Sequence, residues 1–370
     1  MRILIAPNAY KGTLSAVSAA FEIRAGLLDG GAEPADLIVH PITDGGDGFV
    51  EAMGLLLGGA TERIEVPGPG AEKVNAPILW LSVGKCAMAC SDVCGLAGIK
   101  SPSPLTFGSY GLGELIRAAV VGGATEILVG LGGSATVDLG VPMGSALGVR
   151  FFDSQGREAQ PRTASDLSSI SSCDVSPARK LLDGVRITAL CDVNSPLLGP
   201  SGGVMTFSPQ KGLSGAHLVA HHEVCSRVAQ ASDRDCLDAS GLPGAGAAGG
   251  LGAGLAWFAG AELVMGFRFF ASQTGLIERL PDVDLVITGE GRFDATSYSG
   301  KAVAGLVELC RPLRLPVWLI CGAAAGPIPD GCTLSVLEYG SGESPVFAHD
   351  AACVLRRTSH RVAAETGLVL

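Results

Sequence analysis

The chain has 370 residues, 47% of them hydrophobic and 17% charged, which suits a large buried core divided into about two domains. Its net charge of −10 contains no basic block, so nucleic acid is not an expected partner, and no apolar run reaches the roughly 18 to 20 residues of a membrane span. The short apolar start, stopped at Pro7, is unlike a signal peptide, so a cytoplasmic globular protein, monomer or homodimer, is expected.

Along the chain, short runs without alternation at residues 3–6, 37–41, 127–130, 285–288 and 317–321 end in Gly, Asp or Pro and lead into helical patterns. Such runs read as parallel strands covered on both faces by helices, an α/β fold with a doubly wound, Rossmann-like parallel sheet. Residues 63–83, with Pro67, Pro69 and Pro77, and residues 149–158, with a turn at 153–156, read instead as antiparallel pieces. The economical partition is a discontinuous Rossmann-like domain of residues 1–62 and 282–370 and an inserted α/β domain of residues 63–281. His221 and His222 fall in a predicted helix over 216–231, where adjacent side chains diverge, and a solvated face explains them better than a shared metal. The eleven Cys include no C-x-x-C pair and read as buried free thiols.

Four glycine-rich segments carry candidate chemistry. Thr43-Asp44-Gly45-Gly46-Asp47-Gly48 follows a strand end, where carboxylates can hold Mg²⁺ or accept a hydroxyl proton; an acidic turn and helix cap is the competing reading. Gly130-Leu131-Gly132-Gly133-Ser134-Ala135-Thr136 follows a strand and leads towards a helix, an arrangement that can offer backbone N–H groups to an anion. Residues 244–249 satisfy G-x-G-x-x-G by letter, yet no strand precedes them, so close packing or cleft lining explains them better than a dinucleotide. Finally, Ile287-Thr288-Gly289-Glu290-Gly291-Arg292-Phe293-Asp294, then Ser299-Gly300-Lys301, brings mixed charges to one strand end, as a Mg²⁺–phosphate site requires, or as a self-paired exposed loop would; no Walker A pattern is present.

Taken together these segments resemble a known family. Ile5-Ala6-Pro7-Asn8-Ala9-Tyr10-Lys11-Gly12-Thr13-Leu14-Ser15 is similar to I-A-P-D-S-F-K-G-S-L-S, Asp44 to Gly48 to D-G-G-E-G, and Gly130 to Thr136 to G-L-G-G-S-A-T. The order continues with Cys191-Asp192-Val193-Asn194-Ser195-Pro196, similar to C-D-V-x-N-P, then Pro209-Gln210-Lys211-Gly212, the 243–254 glycine run and Ile287 to Asp294. This series resembles the type I glycerate kinases. The resemblance implies ATP-dependent phosphorylation of a small-molecule substrate, D-glycerate, commonly at the 2-hydroxyl, by a two-domain α/β protein with its site in the cleft between the domains.

On that basis Lys11 or Lys211 is assigned to phosphate or substrate-carboxylate charge, Asp44 or Asp192 to the hydroxyl or Mg²⁺, and Glu290, a catalytic candidate, with Asp294 to Mg²⁺ or loop support. Gly132, Gly133, Ser134 and Lys301 are assigned to the ATP phosphates, Asp47 and Asp294 to the metal, and Arg292 to the glycerate carboxylate or to an internal pair. The chain departs from the family's pattern at Asn8, Asp47, Phe49, Ala89, Val137, Leu139 and Thr296. These departures keep two rivals in view, a kinase of another small hydroxy acid and a weakened binding or sensor homologue; a third, a dinucleotide-dependent oxidoreductase, would need a strand before Gly244, and the sequence lacks that context.

Overall fold

The structure, a computed structural model, describes residues 1–97, 99, 102–294, 301–325, 327–337 and 348–366. Its strands are β1 (Ile3–Ile5), β2 (Leu37–Val39), β3 (Ala60–Pro67), β4 (Lys73–Ser82), β5 (Lys85–Ala89) and β6 (Glu126–Leu131). There follow β7 (Arg150–Phe152), β8 (Glu158–Ala159), β9 (Ser172–Asp174), β10 (Arg186–Cys191) and β11 (Glu262–Met265). The chain closes with β12 (Leu285–Thr288), β13 (Arg292–Phe293), β14 (Val317–Cys321), β15 (Ala323–Ala324) and β16 (Cys332–Val336).

The chain divides into two compact units, Met1–Leu57 with Phe267–Leu370, and Gly58–Gly266. In the first, all-parallel strands run in the order β16-β14-β12-β1-β2. Numbered within that sheet alone, this is the 2-1-3-4-5 order of doubly wound folds, whose ligand crevice lies where β1 and β12 send their connections to opposite faces. Ile3, Leu4 and Ile5 are all fully buried, as a central strand with both faces covered demands. The helix Ala16–Asp29 starts where Ser15 accepts the Ser18 N–H at 3.1 Å, satisfying one orphan donor. It packs on the helix Ala348–Glu365 so closely that a Cβ on Gly26 would strike the Arg356 carbonyl.

In the second unit β11-β10-β6-β5-β4-β3 form a mixed sheet, parallel from β11 to β5 and antiparallel from β5 to β3. β7 pairs antiparallel with β8 and β9 in a small separate sheet. Strand β3 begins at Ala60, so residues 58–62 lie with the second unit and not with the first, where the expected boundary at 62 places them. Residues 267–281 move the other way: the Phe267 ring is fully buried and fills the space that Gly305 leaves by lacking a Cβ.

The expected solvated face for the histidine pair does not survive. His221, on the helix Gly215–Asp235, is 5% exposed, with Nε2 2.8 Å from the Val137 carbonyl, because the helix lies against the 132–140 loop. His222 is half-buried. Seven of the eleven cysteines are buried and all are free thiols. Among the described residues no helix is long and apolar enough to cross a membrane.

Candidate active site

The first unit gathers polar groups where β2, β1 and β12 end. Past β1, the Asn8 N–H donates to the Gly289 carbonyl at 2.9 Å, and the Ile42 N–H donates to the Pro7 carbonyl at 2.9 Å, so three strand exits are tied side by side. Thr288 Oγ1 donates to the Ala6 carbonyl at 2.6 Å and the Tyr10 hydroxyl to the Ile320 carbonyl at 2.6 Å. Gly289 is required there, since a Cβ would collide with the Ile320 carbonyl and come within 2.7 Å of the Tyr10 hydroxyl. Among the polar side chains buried on these exits, Asn8, Asp44 and Glu290 are 6%, 8% and 7% exposed. Buried carboxylates on adjoining loops are costly unless a partner shares their charge.

The Asp44 turn is built by its own side chains. Thr43 Oγ1 accepts the Gly45 N–H at 3.1 Å and Asp44 Oδ1 accepts the Gly46 N–H at 3.3 Å, while Gly45 holds φ at +97°. The helix Phe49–Leu57 follows, with Phe49 fully buried. Lys11 is exposed, Asp47 half-buried, and Arg292 donates to Asp294 Oδ2 at 2.9 Å. The internal pair weighed for Arg292 thus forms here. Lys301 immediately precedes the helix Ala302–Cys310 without a capping side-chain bond, and Thr296 and Ser299-Gly300 lie outside the described residues.

The second unit assembles a separate polar cluster around Lys211. This lysine, in the single turn Pro209–Lys211, is 3% exposed and donates to Ser134 Oγ at 2.9 Å and to the Thr136 carbonyl at 2.8 Å. Burial pushes its ammonium down to about 8, against the pull of the Cys90 and Cys94 thiols and of the Asp192 and Asp138 carboxylates. Asp192 is half-buried at the end of β10. Gly132 and Ser134 are buried, and Gly133 takes a φ of +70° that favours glycine. The Cys90 thiol donates to the Gly132 carbonyl at 3.3 Å.

The glycine run at 244–254 holds this cluster in place. A Cβ on Gly246 would strike the Pro196 carbonyl, one on Gly249 the Thr136 carbonyl and one on Gly254 the Leu139 carbonyl. No strand precedes the run: residues 244–250 follow the helix Gly215–Asp235 and residues 251–254 open the helix Leu251–Ala259. Its glycines are therefore explained by backbone packing on the loops at 132–140 and 192–203.

Residues 132–140 lead, as expected, towards a helix, Val141–Leu147, but no Ser or Thr stands at its start: it is led by Gly140 in a left-handed conformation, with Pro142 in its first turn. A carboxylate already occupies that helix start, since Asp138 Oδ1 accepts the Gly140 N–H at 2.9 Å. Sequence reasoning did not single out Asp138 or Ser109; an Asp between Val137 and Leu139 was the available sign of a buried, bonded carboxylate.

Among the described residues no three His, Cys, Asp or Glu side chains converge as a ready metal centre. Mg²⁺ asks for less, since it commonly takes one or two carboxylates with phosphate oxygens and water. The half-buried carboxylates of Asp47 and Asp294 fit that donor set.

Residues 3–339 match the sequence profile of the glycerate kinase family. The chain belongs to that family. A glycerate 2-kinase of Escherichia coli K12 is 39% identical over 327 residues, covering 87% of this chain and 85% of that protein. A glycerate kinase of Bacillus subtilis is 36% identical over 329 residues, covering 87% and 85%. A crystal structure assigned to a glycerate kinase 2 of Salmonella typhimurium LT2 superposes with a TM-score of 0.80 at 35% identity, covering 99% of this chain and 98% of the other. The chain is thus an enzyme of the glycerate kinase family with that family's α/β fold.

Proposed function

We propose that this glycerate kinase family enzyme moves the γ-phosphoryl group of ATP onto the 2-hydroxyl of D-glycerate, giving 2-phosphoglycerate and ADP. The observation that carries the reading is the pair of buried carboxylates, Asp44 and Glu290, on the exits of β2 and β12 that flank β1. Phosphoryl transfer asks a protein chiefly for positioning and charge, and carboxylates fixed at strand ends supply both.

In this reading the Asp44 carboxylate receives the hydroxyl proton as the substrate oxygen bonds to the γ-phosphorus and the bond to the ADP oxygen breaks. Its Oδ1 is oriented by the Gly46 N–H, which fixes the carboxylate before substrate arrives. Glu290 supports that loop and Asp192 serves the second cluster. Lys11 and Lys301 supply positive charge to the phosphates, and the backbone at Gly132, Gly133 and Ser134 allows them to come close. Arg292, held by Asp294, offers its remaining N–H donors to the glycerate carboxylate. When bound, Mg²⁺ would be held by Asp47 and Asp294 and would supply neutralisation of the transferring group's charge.

A coupled assay with ATP, Mg²⁺ and D-glycerate, followed by ³¹P NMR of the product, tests the reading. ADP release that needs glycerate, stops on chelation and yields a C2 phosphate ester is expected. A C3 ester would overturn the product, and ADP release without an acceptor would overturn transfer itself.

A further inference from the structure

Among the described residues of the second unit Asp138 is the one buried carboxylate, and the reaction above gives it no task. It is 0% exposed, inside the apolar run of Val137, Leu139 and Val141, whose side chains are also buried. Both its oxygens are used: Oδ2 accepts the Ser109 N–H at 2.6 Å and Oδ1 the Gly140 N–H at 2.9 Å. The first bond fixes the loop to the start of the helix Tyr110–Val121, and the second closes the loop onto the helix Val141–Leu147. Lys211 holds the same loop from the other end, through Ser134 Oγ and the Thr136 carbonyl.

A buried carboxylate on the 132–140 loop and a buried ammonium bonded to that loop from the turn Pro209–Lys211 depend on each other, because either charge alone carries an uncompensated desolvation cost. We propose that Asp138 is a positioning residue of the phosphate-handling site: its carboxylate fixes the 132–140 loop through Ser109 and Gly140 and supplies countercharge to the Lys211 ammonium that holds Ser134 and Thr136. The inference rests on the reading of Gly132, Gly133 and Ser134 as phosphate-binding.

The electrostatic surroundings agree with the geometry. Lys211 is faced by the Cys90 and Cys94 thiols and by Asp192 and Asp138; Asp138 is faced by Lys211 and by the Cys94 and Cys225 thiols. His221, from the helix packed over the loop, meets the Val137 carbonyl. Burial raises the Asp138 carboxyl, and its N–H bonds and Lys211 oppose that rise. Burial lowers Lys211, and Asp138 is among the groups that oppose that fall.

The test compares the full-length wild type with Asp138→Asn, by melting temperature, by glycerate-dependent kcat against pH, and by ¹³C NMR titration of the lysine Cε carbons with Lys211 assigned through Lys211→Met. The NMR titration reads the Lys211 proton without requiring turnover. In folded Asp138→Asn the Lys211 midpoint falls by roughly half a unit or more, the alkaline limb of kcat moves down with it, and kcat drops at least about tenfold. A purely structural role would lower the melting temperature and leave both the midpoint and the limb where they were, and that result overturns the proposal. If Asp138→Asn does not fold, Asp138→Ser takes its place in the same titration, and an unshifted Lys211 midpoint in that folded variant overturns the proposal. Absence of glycerate-dependent turnover in the wild type would instead count against the proposed reaction, with the Lys211 midpoint still testing the pairing.

Discussion

Gly249 stands where the Thr136 carbonyl, the acceptor of Lys211, comes closest to the glycine run: a Cβ there would overlap that oxygen and lie 3.0 Å from Lys211 Nζ. Its φ of +73° adds a second reason for glycine. Gly249→Ala must both strain its own backbone and displace the carbonyl, and a loss of about 2 kcal/mol or more is expected. Urea denaturation measures it, and an unchanged midpoint would remove the close approach.

Leu139 is a different case, a branched residue at φ +56° and one of the positions named above as departures from the family's pattern. Its side chain is fully buried and packs against Gly250. The left-handed backbone costs about 1 kcal/mol, and deleting the side chain costs about 2 to 5. Leu139→Gly loses the packing and regains the strain, whereas Leu139→Ala loses the packing and keeps it. The expected order of stability is therefore wild type, then Leu139→Gly, then Leu139→Ala. Reversal of the two variants in thermal melts would show that the backbone at 139 is not strained.

His40 gives the fold a pH dependence. It is 1% exposed, with Nε2 3.0 Å from Thr274 Oγ1, and burial, aided by the charge of Arg279, pushes it down to about 4. An unfolded chain protonates this ring near 6.5 while the folded chain resists, so the unfolded state binds more protons between those values. Stability from this group is fully present above pH 6.5 and is lost as pH falls to about 4, amounting to about 3 kcal/mol. Wild type should lose more stability than His40→Gln over that window; parallel curves would show that His40 titrates normally.

The parallel strands were legible because their apolar runs are continuous: β1, β2, β6, β12 and β14 overlap the runs at 3–6, 37–41, 127–130, 285–288 and 317–321. Both faces of such strands are covered, so the pattern is insensitive to how the layers are arranged. His221 was misread because its partner, the Val137 carbonyl, arrives from 84 residues earlier, which helical periodicity cannot register. Asp138 was passed over for a related reason: Ser109, which donates to it, is 29 residues away. The start of the helix Val141–Leu147 did have a local sign in Pro142, a residue favoured in the first turn of a helix. The glycine clusters were visible as glycines, but their roles differ. Gly45 serves a turn and Gly249 a close approach, and only coordinates separate the two.

The Asp44 carboxylate is both a turn element and the group proposed to receive the hydroxyl proton, and these roles predict different losses. Its Oδ1 accepts the Gly46 N–H at 3.3 Å, a long bond that a neutral amide oxygen can also accept. Asp44→Asn therefore keeps the turn and removes the charge. If the carboxylate acts only in the turn, stability falls by about 1 kcal/mol or less and turnover per folded molecule is unchanged. If it receives the proton, the melting temperature changes little while turnover falls roughly 10² to 10⁴-fold, about 3 to 5 kcal/mol of transition-state stabilisation. The second outcome is expected, because a carboxylate 8% exposed beside the exit of β1 is a costly way to cap a turn that Thr43 already supports. Melting temperature and glycerate-dependent turnover measured on one preparation decide between them, and a variant that is less stable yet fully active would end the catalytic assignment of Asp44.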